Sequence, residues 1–202
     1  MSYPATFEAD YVEQRNRLTT FFRLILAIPL VIWLYVYGII ATIAVIVAWF
    51  VIVFTASYPT ALYEFVSGFN RFLARATAYL ALLSDPYPPF GGSEEPAYPV
   101  RMTFAGPLEH YSRLRTLFRI ILAIPIVIVR YAMQLLLEIG AVGAWFVVLI
   151  TGKMPRGLFD LMVLANSYIA RSDAYLLLLT ETYPPFQDEQ TRSAGANPPA
   201  AL

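Results

Sequence analysis

The sequence predicts an all-α integral membrane protein built from two tandem copies of a two-helix module, with about four membrane helices in all. Three observations carry that class. Arg23 to Phe54, RLILAIPLVIWLYVYGIIATIAVIVAWFVIVF, has no charged residue after Arg23, and about 20 apolar residues are enough to cross a bilayer. Arg119 to Ile150, RIILAIPIVIVRYAMQLLLEIGAVGAWFVVLI, repeats that run 96 residues later. Charged residues make up 14% of the 202, against about 25% in soluble domains, and the deficit falls in these runs.

Pairing residue n with n+96 is gapless from Arg17/Arg113 to Phe90/Phe186, and 33 of the 74 pairs are identical. The duplication divides the chain into a first repeat at 1–90, a linker GGSEEPA at 91–97, a second repeat at 98–186 and a tail at 187–202. The tail is rich in Ala, Pro, Gly and polar residues and reads as disordered.

Each repeat opens with Tyr-Pro, Tyr3-Pro4 and Tyr98-Pro99. The partly alternating stretches that follow, ATFEAD and VRMTFAG, suit a small β ribbon outside the membrane. Next comes an arginine-bearing amphipathic piece, RNRLTTFFRLILAIP at 15–29 and RLRTLFRIILAIP at 113–125. Such pieces suit the headgroup layer. Proline removes a backbone donor, so a bend is expected near Pro29 and Pro125, with the first span running from Leu30 to Phe54. A turn with Pro59 or Pro155 leads to the second apolar segment, Leu62–Leu83 and Leu158–Leu179. This segment is long enough to cross but more polar; its polar stripe faces either the bundle interior, the favoured reading, or water from a position at the interface. Both repeats close on Tyr-Pro-Pro-Phe, at 87–90 and 183–186, which stops a helix.

If both helices of a module cross, the termini, the linker and the arginine clusters share one side. The positive-inside rule makes that side cytoplasmic. The expected location is the cell membrane, multi-pass, with both termini inside. The N-terminal segment is polar and acidic and is read as retained rather than as a cleaved signal.

Composition limits the chemistry. Formal net charge is zero, so no basic surface points to nucleic acid. Cysteine is absent and His110 stands alone, which removes thiol chemistry and multi-histidine metal sites. No nucleophile elbow, phosphate-binding glycine loop or HExxH is present. The expectation is a non-enzyme with no catalytic residue, metal or cofactor.

Two sets of residues are candidates for function. Arg130, Gln134 and Glu138 fall at i, i+4 and i+8 inside the second long run, so they share one helical face. Charges within a span are costly and often functional. Here they suit a proton or ion relay, a polar ligand contact, or an ion pair that locks the bundle, with Arg130 or Arg171 as the expected partner of Glu138. Arg17, Arg23, Arg113 and Arg119 are candidate lipid-headgroup contacts.

The string RLTTFFRLILAIP, the AWF-x-x-x-x-T turn with its following proline, and the closing AYL-x-LL-x-D/E-x-YPPF resemble a bacterial membrane family known as domain of unknown function 4389. The likeness covers nearly all of each repeat. It implies a membrane protein and no established activity, so no site residue carries over. Repeat one departs by reading TASYP where TG-x-x-P is typical, and repeat two by placing Arg130, Gln134 and Glu138 in its first span. The expected function is an accessory or scaffold subunit of a membrane complex, with membrane lipids and other membrane proteins or further copies of itself as partners. The alternative is a lipid-binding or small-solute transport component using the Arg130–Gln134–Glu138 stripe.

Overall fold

The computed structural model describes residues Tyr3 to Phe186; the tail expectation at 187–202 lies outside them. In chain order the elements are β1 (Ala5–Ala9), α1 (Arg17–Phe21), α2 (Arg23–Thr55), α3 (Thr60–Leu80), β2 (Val100–Phe104), α4 (Arg113–Leu117), α5 (Arg119–Thr151) and α6 (Arg156–Leu176).

The ribbon is present. β1 pairs with β2 antiparallel, Phe7 facing Met102 and Glu8 facing Arg101. Alternation puts Ala5, Phe7, Val100 and Met102 in the core. Glu8 and Arg101 lie toward the other face, where Arg101 also binds Asp10 at 2.7 Å. Each strand comes from a different repeat, so the ribbon ties the two halves together.

The amphipathic piece is not one helix with the long run. Asn16 caps α1 by accepting from the amides of Leu18 and Thr19, and Ser112 caps α4 through the amide of Arg115. Such caps contribute about 1 kcal/mol each. Phe22 and Phe118 then leave helical geometry, and the long helix starts at the next residue. The expected bend at Pro29 is therefore displaced: the break falls at Phe22, and α2 and α5 continue through Pro29 and Pro125. A proline in the second turn of a helix removes only one bond of the ladder, so the helix continues past it.

α2 and α5 each have 33 residues, or roughly 50 Å of helix. Each ends on a left-handed residue, Ala56 (φ 59°) and Gly152 (φ 74°). α3 and α6 fold back along them and stop three residues before the expected Leu83 and Leu179. Leu82 and Leu178 are left-handed, and the amide of Leu83 closes on Ala78 while that of Leu82 closes on Tyr79. This is the two-bond helix stop that satisfies the last free carbonyls.

α3 lies between the ribbon and α2. On one side Arg71 sits over the Phe104 ring of β2 at 5.2 Å. Phe69, roughly 200° round the helix, meets Gly38 of α2. α6 is placed likewise, with Arg171 near Tyr3 and Asp173 against α5. The core fills the space between these layers, with Ile52, Val66, Val100, Leu137, Val148 and Met162 in one continuous cluster.

The sequence predicts about four membrane helices, and the structure shows two helices of membrane length. Among the described residues only Arg23–Thr55 and Arg119–Thr151 are long and apolar enough to cross a bilayer. α3 and α6 bury polar and charged side chains on their inner sides, including Ser67, Asn70, Arg75, Asn166 and Arg171, and serve as the middle of the protein.

Candidate functional site: the outer face of the two long helices

α2 has two chemically similar faces with opposite fates. Leu30, Ala41, Ala44, Ala48 and Ile52 lie on one side and are buried, Leu30 among Phe72, Ala76 and Tyr79 of α3. Leu24, Ile28, Ile32, Ile39, Ile43, Ile46 and Phe50 follow helical spacing on the other side and are exposed. α5 repeats the pattern, with Ile126, Leu137, Ala144 and Val148 inside and Ile121, Ile124, Ile128, Leu135, Ile139 and Val142 outside. In the most apolar 18-residue windows only 22% of α2 and 17% of α5 is buried. A core helix would be mostly covered. Leu18, Phe21, Leu114 and Phe118 extend the apolar exposure over α1 and α4.

Two of the four arginines expected at lipid headgroups are turned inward. Arg23 is 3% exposed and Arg119 5%. Arg23 donates to the carbonyl of Ser84 at 2.8 Å and to Asp85 at 3.0 Å, and its guanidinium lies over the Tyr79 ring. Arg119 donates to the carbonyl of Thr180 and lies 3.8 Å from the centre of the Tyr175 ring. Both bind the carbonyls exposed where α3 and α6 end. Arg15 joins them, donating to the Leu83 carbonyl at 3.0 Å, and burial lowers its pKa. Arg17 and Arg113 remain exposed. Asp85 and Glu181 complete the clamp by accepting from the amides of Asn16 and Ser112. Their repetition in both copies beside YPPF is the signal that would have found them.

The YPPF boxes close against the long helices. Tyr183 donates to the carbonyl of Leu122, and Phe90 meets Trp33 edge-on at 6.2 Å. Phe90 and Trp33 form an open apolar groove with Pro29 and Ile32.

The polar stripe of α5 is divided. Arg130 does not pair with Glu138, as expected, but with Asp173 of α6. Helix α6 packs along α5 and brings a carboxylate within 2.7 Å. Glu138 is exposed and accepts from Gln134 at 3.0 Å. Arg171 is buried in α6. Gln134 and Glu138 meet each other, while Arg130 is drawn to α6.

Residues 17–91 and 113–187 each match the family model described as "Domain of unknown function (DUF4389)". No curated protein matches the chain, and no solved structure does.

Proposed function

The chain belongs to this family of unknown function, in two tandem copies, and on that premise we propose that it is a non-catalytic membrane protein acting as an accessory or scaffold subunit. The observation that carries the reading is the apolar outer face of α2 and α5. Soluble monomers rarely expose contiguous apolar patches beyond a few hundred Å², whereas lipid tails cover such a face without cost. The location is the cell membrane, with both termini on the cytoplasmic side, in keeping with the arginines that precede each long helix. The scaffold role is supported by the use of the conspicuous polar groups, Arg15, Arg23, Arg119 and Arg130, to hold loops and helices in place.

Membrane fractionation tests this. The expected result is a chain that stays with membranes through high salt and alkaline washing, leaves them only with detergent, and carries a partner or a second copy with it. Recovery in the soluble fraction would overturn the membrane reading. A detergent-purified monomer with no companion would overturn the scaffold role.

One observation favours the second reading, a lipid-binding or small-solute component. The Gln134–Glu138 pair is a polar break in the exposed part of α5, and polar groups there often mark a ligand path. A Glu138→Gln variant that lowers a measured solute flux or the amount of co-purified lipid would support it; unchanged values would remove it.

A further inference from the structure

We infer that α2 and α5 lie flat in one leaflet instead of crossing the bilayer, so that the side of the molecule opposite the ribbon is a lipid-docking surface. This rests on the membrane reading above and adds the orientation.

The two repeats exchange contacts reciprocally. The amide of Arg15 donates to the carbonyl of Gly152 and that of Tyr111 to the carbonyl of Ala56, both at 2.9 Å. The indole of Trp49 donates to Thr116 at 2.9 Å and that of Trp145 to Thr20 at 3.1 Å. Residue i meeting j while the equivalent of j meets the equivalent of i is the mark of a two-fold relation. Its axis passes between Phe7 and Met102, equivalent residues that face each other in the ribbon.

The axis fixes the direction of the long helices. Symmetry puts the starts of α2 and α5 at equal height along it. Trp49 lies roughly 39 Å along α2 from Arg23, yet it touches Thr116, just ahead of the start of α5. α2 therefore regains its starting height within a side chain's reach after most of its length. It runs close to perpendicular to the axis, and so does α5.

Two placements in a bilayer remain. If α2 and α5 cross, the axis lies in the membrane plane and the ribbon sits at mid-depth. That would put open strand edges, Glu8, Asp10 and Arg101 against hydrocarbon, where neither unpaired backbone nor exposed charge is tolerated. If the axis stands along the membrane normal, the ribbon is in water and α2 and α5 lie in the plane. Their outer faces point away from α3 and α6, into the acyl layer. Their length agrees: roughly 50 Å of helix exceeds the ~30 Å hydrocarbon thickness but suits a surface. Exposed Arg17 and Arg113, at the starts of α1 and α4, are placed for anionic lipid phosphates.

Cysteine labelling on this naturally Cys-free chain tests the placement. Gln14→Cys, Ser57→Cys and Thr103→Cys report on the two ends of α2 and on the ribbon. Each full-length variant is treated in sealed membrane vesicles with a membrane-impermeant maleimide, before and after permeabilisation. The expected result is one shared state, all three accessible or all three protected, reversing together in vesicles of opposite sidedness. Labelling of Gln14→Cys and Ser57→Cys from opposite sides would overturn this inference alone. A chain absent from the vesicles would overturn the membrane reading and this one together.

Discussion

Arg130 and Asp173 form a two-point ion pair, Nε to Oδ1 at 2.7 Å and Nη2 to Oδ2 at 3.2 Å. The equivalent positions in the first repeat are Leu34 and Thr77. The second repeat thus carries a charged pair between its long and short helices where the first has Leu34 and Thr77. Removing one partner strands the other: Arg130→Leu leaves Asp173 buried without a counter-charge. The expected cost is about 2–3 kcal/mol, below the figure for a fully buried pair because Arg130 is partly solvated. The double variant Arg130→Leu/Asp173→Thr recreates the first-repeat pair and is expected to recover most of that loss. Thermal melts of the wild type, Arg130→Leu, Asp173→Thr and the double variant in mild detergent give the coupling directly.

The tryptophans at the far ends of the long helices hold the two repeats together. Trp49→Phe and Trp145→Phe each remove one indole hydrogen bond to a carbonyl of the other repeat. Each is expected to lower stability by about 1 kcal/mol. The two sites share no partner, so the double variant should show the sum. Unequal losses from the two would contradict a symmetric assembly.

Ala56 occupies a left-handed position that its equivalent in the second repeat fills with Gly152. A side chain there carries a backbone strain of about 1 kcal/mol. Ala56→Gly is expected to raise the melting temperature modestly, since the relief is partly offset by the freer unfolded chain. The converse change, Gly152→Ala, should be destabilising, because the new Cβ would lie 2.9 Å from Nε of Arg17.

Much of this was legible in the sequence, and the exceptions have physical causes. The duplication, the long apolar runs and the ribbon are local properties of pattern and composition. The polarity of α3 and α6 was visible too, but that their lengths serve a protein interior depended on the ribbon covering their other side. Arg23 and Arg119 read as surface charges because arginine beside an apolar run commonly meets lipid phosphate. Their real partners are the carbonyls of Ser84 and Thr180, about sixty residues away in sequence, which no local pattern announces. The GGSEEPA stretch reads as a linker, and its Gly92 packs so closely on Gly68 that an added Cβ would come within 2.3 Å of its Cα.

Tyr58, Tyr63 and Tyr111 form an edge-to-face cluster joining the two repeats, at centroid distances of 5.4 and 5.8 Å. Burial pushes all three phenols up, Tyr63 to about 12. Raised values mean that the folded state holds these protons more tightly than the unfolded chain, which releases them near pH 10. Stability should be unaffected below pH 10 and fall between pH 10 and 12. Among the described residues the Tyr58 hydroxyl has no hydrogen-bond partner. Tyr58→Phe is therefore expected to be neutral or stabilising near pH 7 and to move the alkaline unfolding midpoint upward.

The proposal that the outer side of α2 faces lipid is most directly tested by spin labels at Ile28, Ile39 and Phe50, with Thr103 on the ribbon as the aqueous reference. Relaxation by oxygen, which concentrates in acyl chains, is compared with relaxation by a water-soluble nickel chelate in reconstituted vesicles. The expected result is strong oxygen and weak nickel access at all three helix sites, with the reverse at Thr103. Nickel access at Ile28, Ile39 and Phe50 as free as at Thr103 would contradict the account.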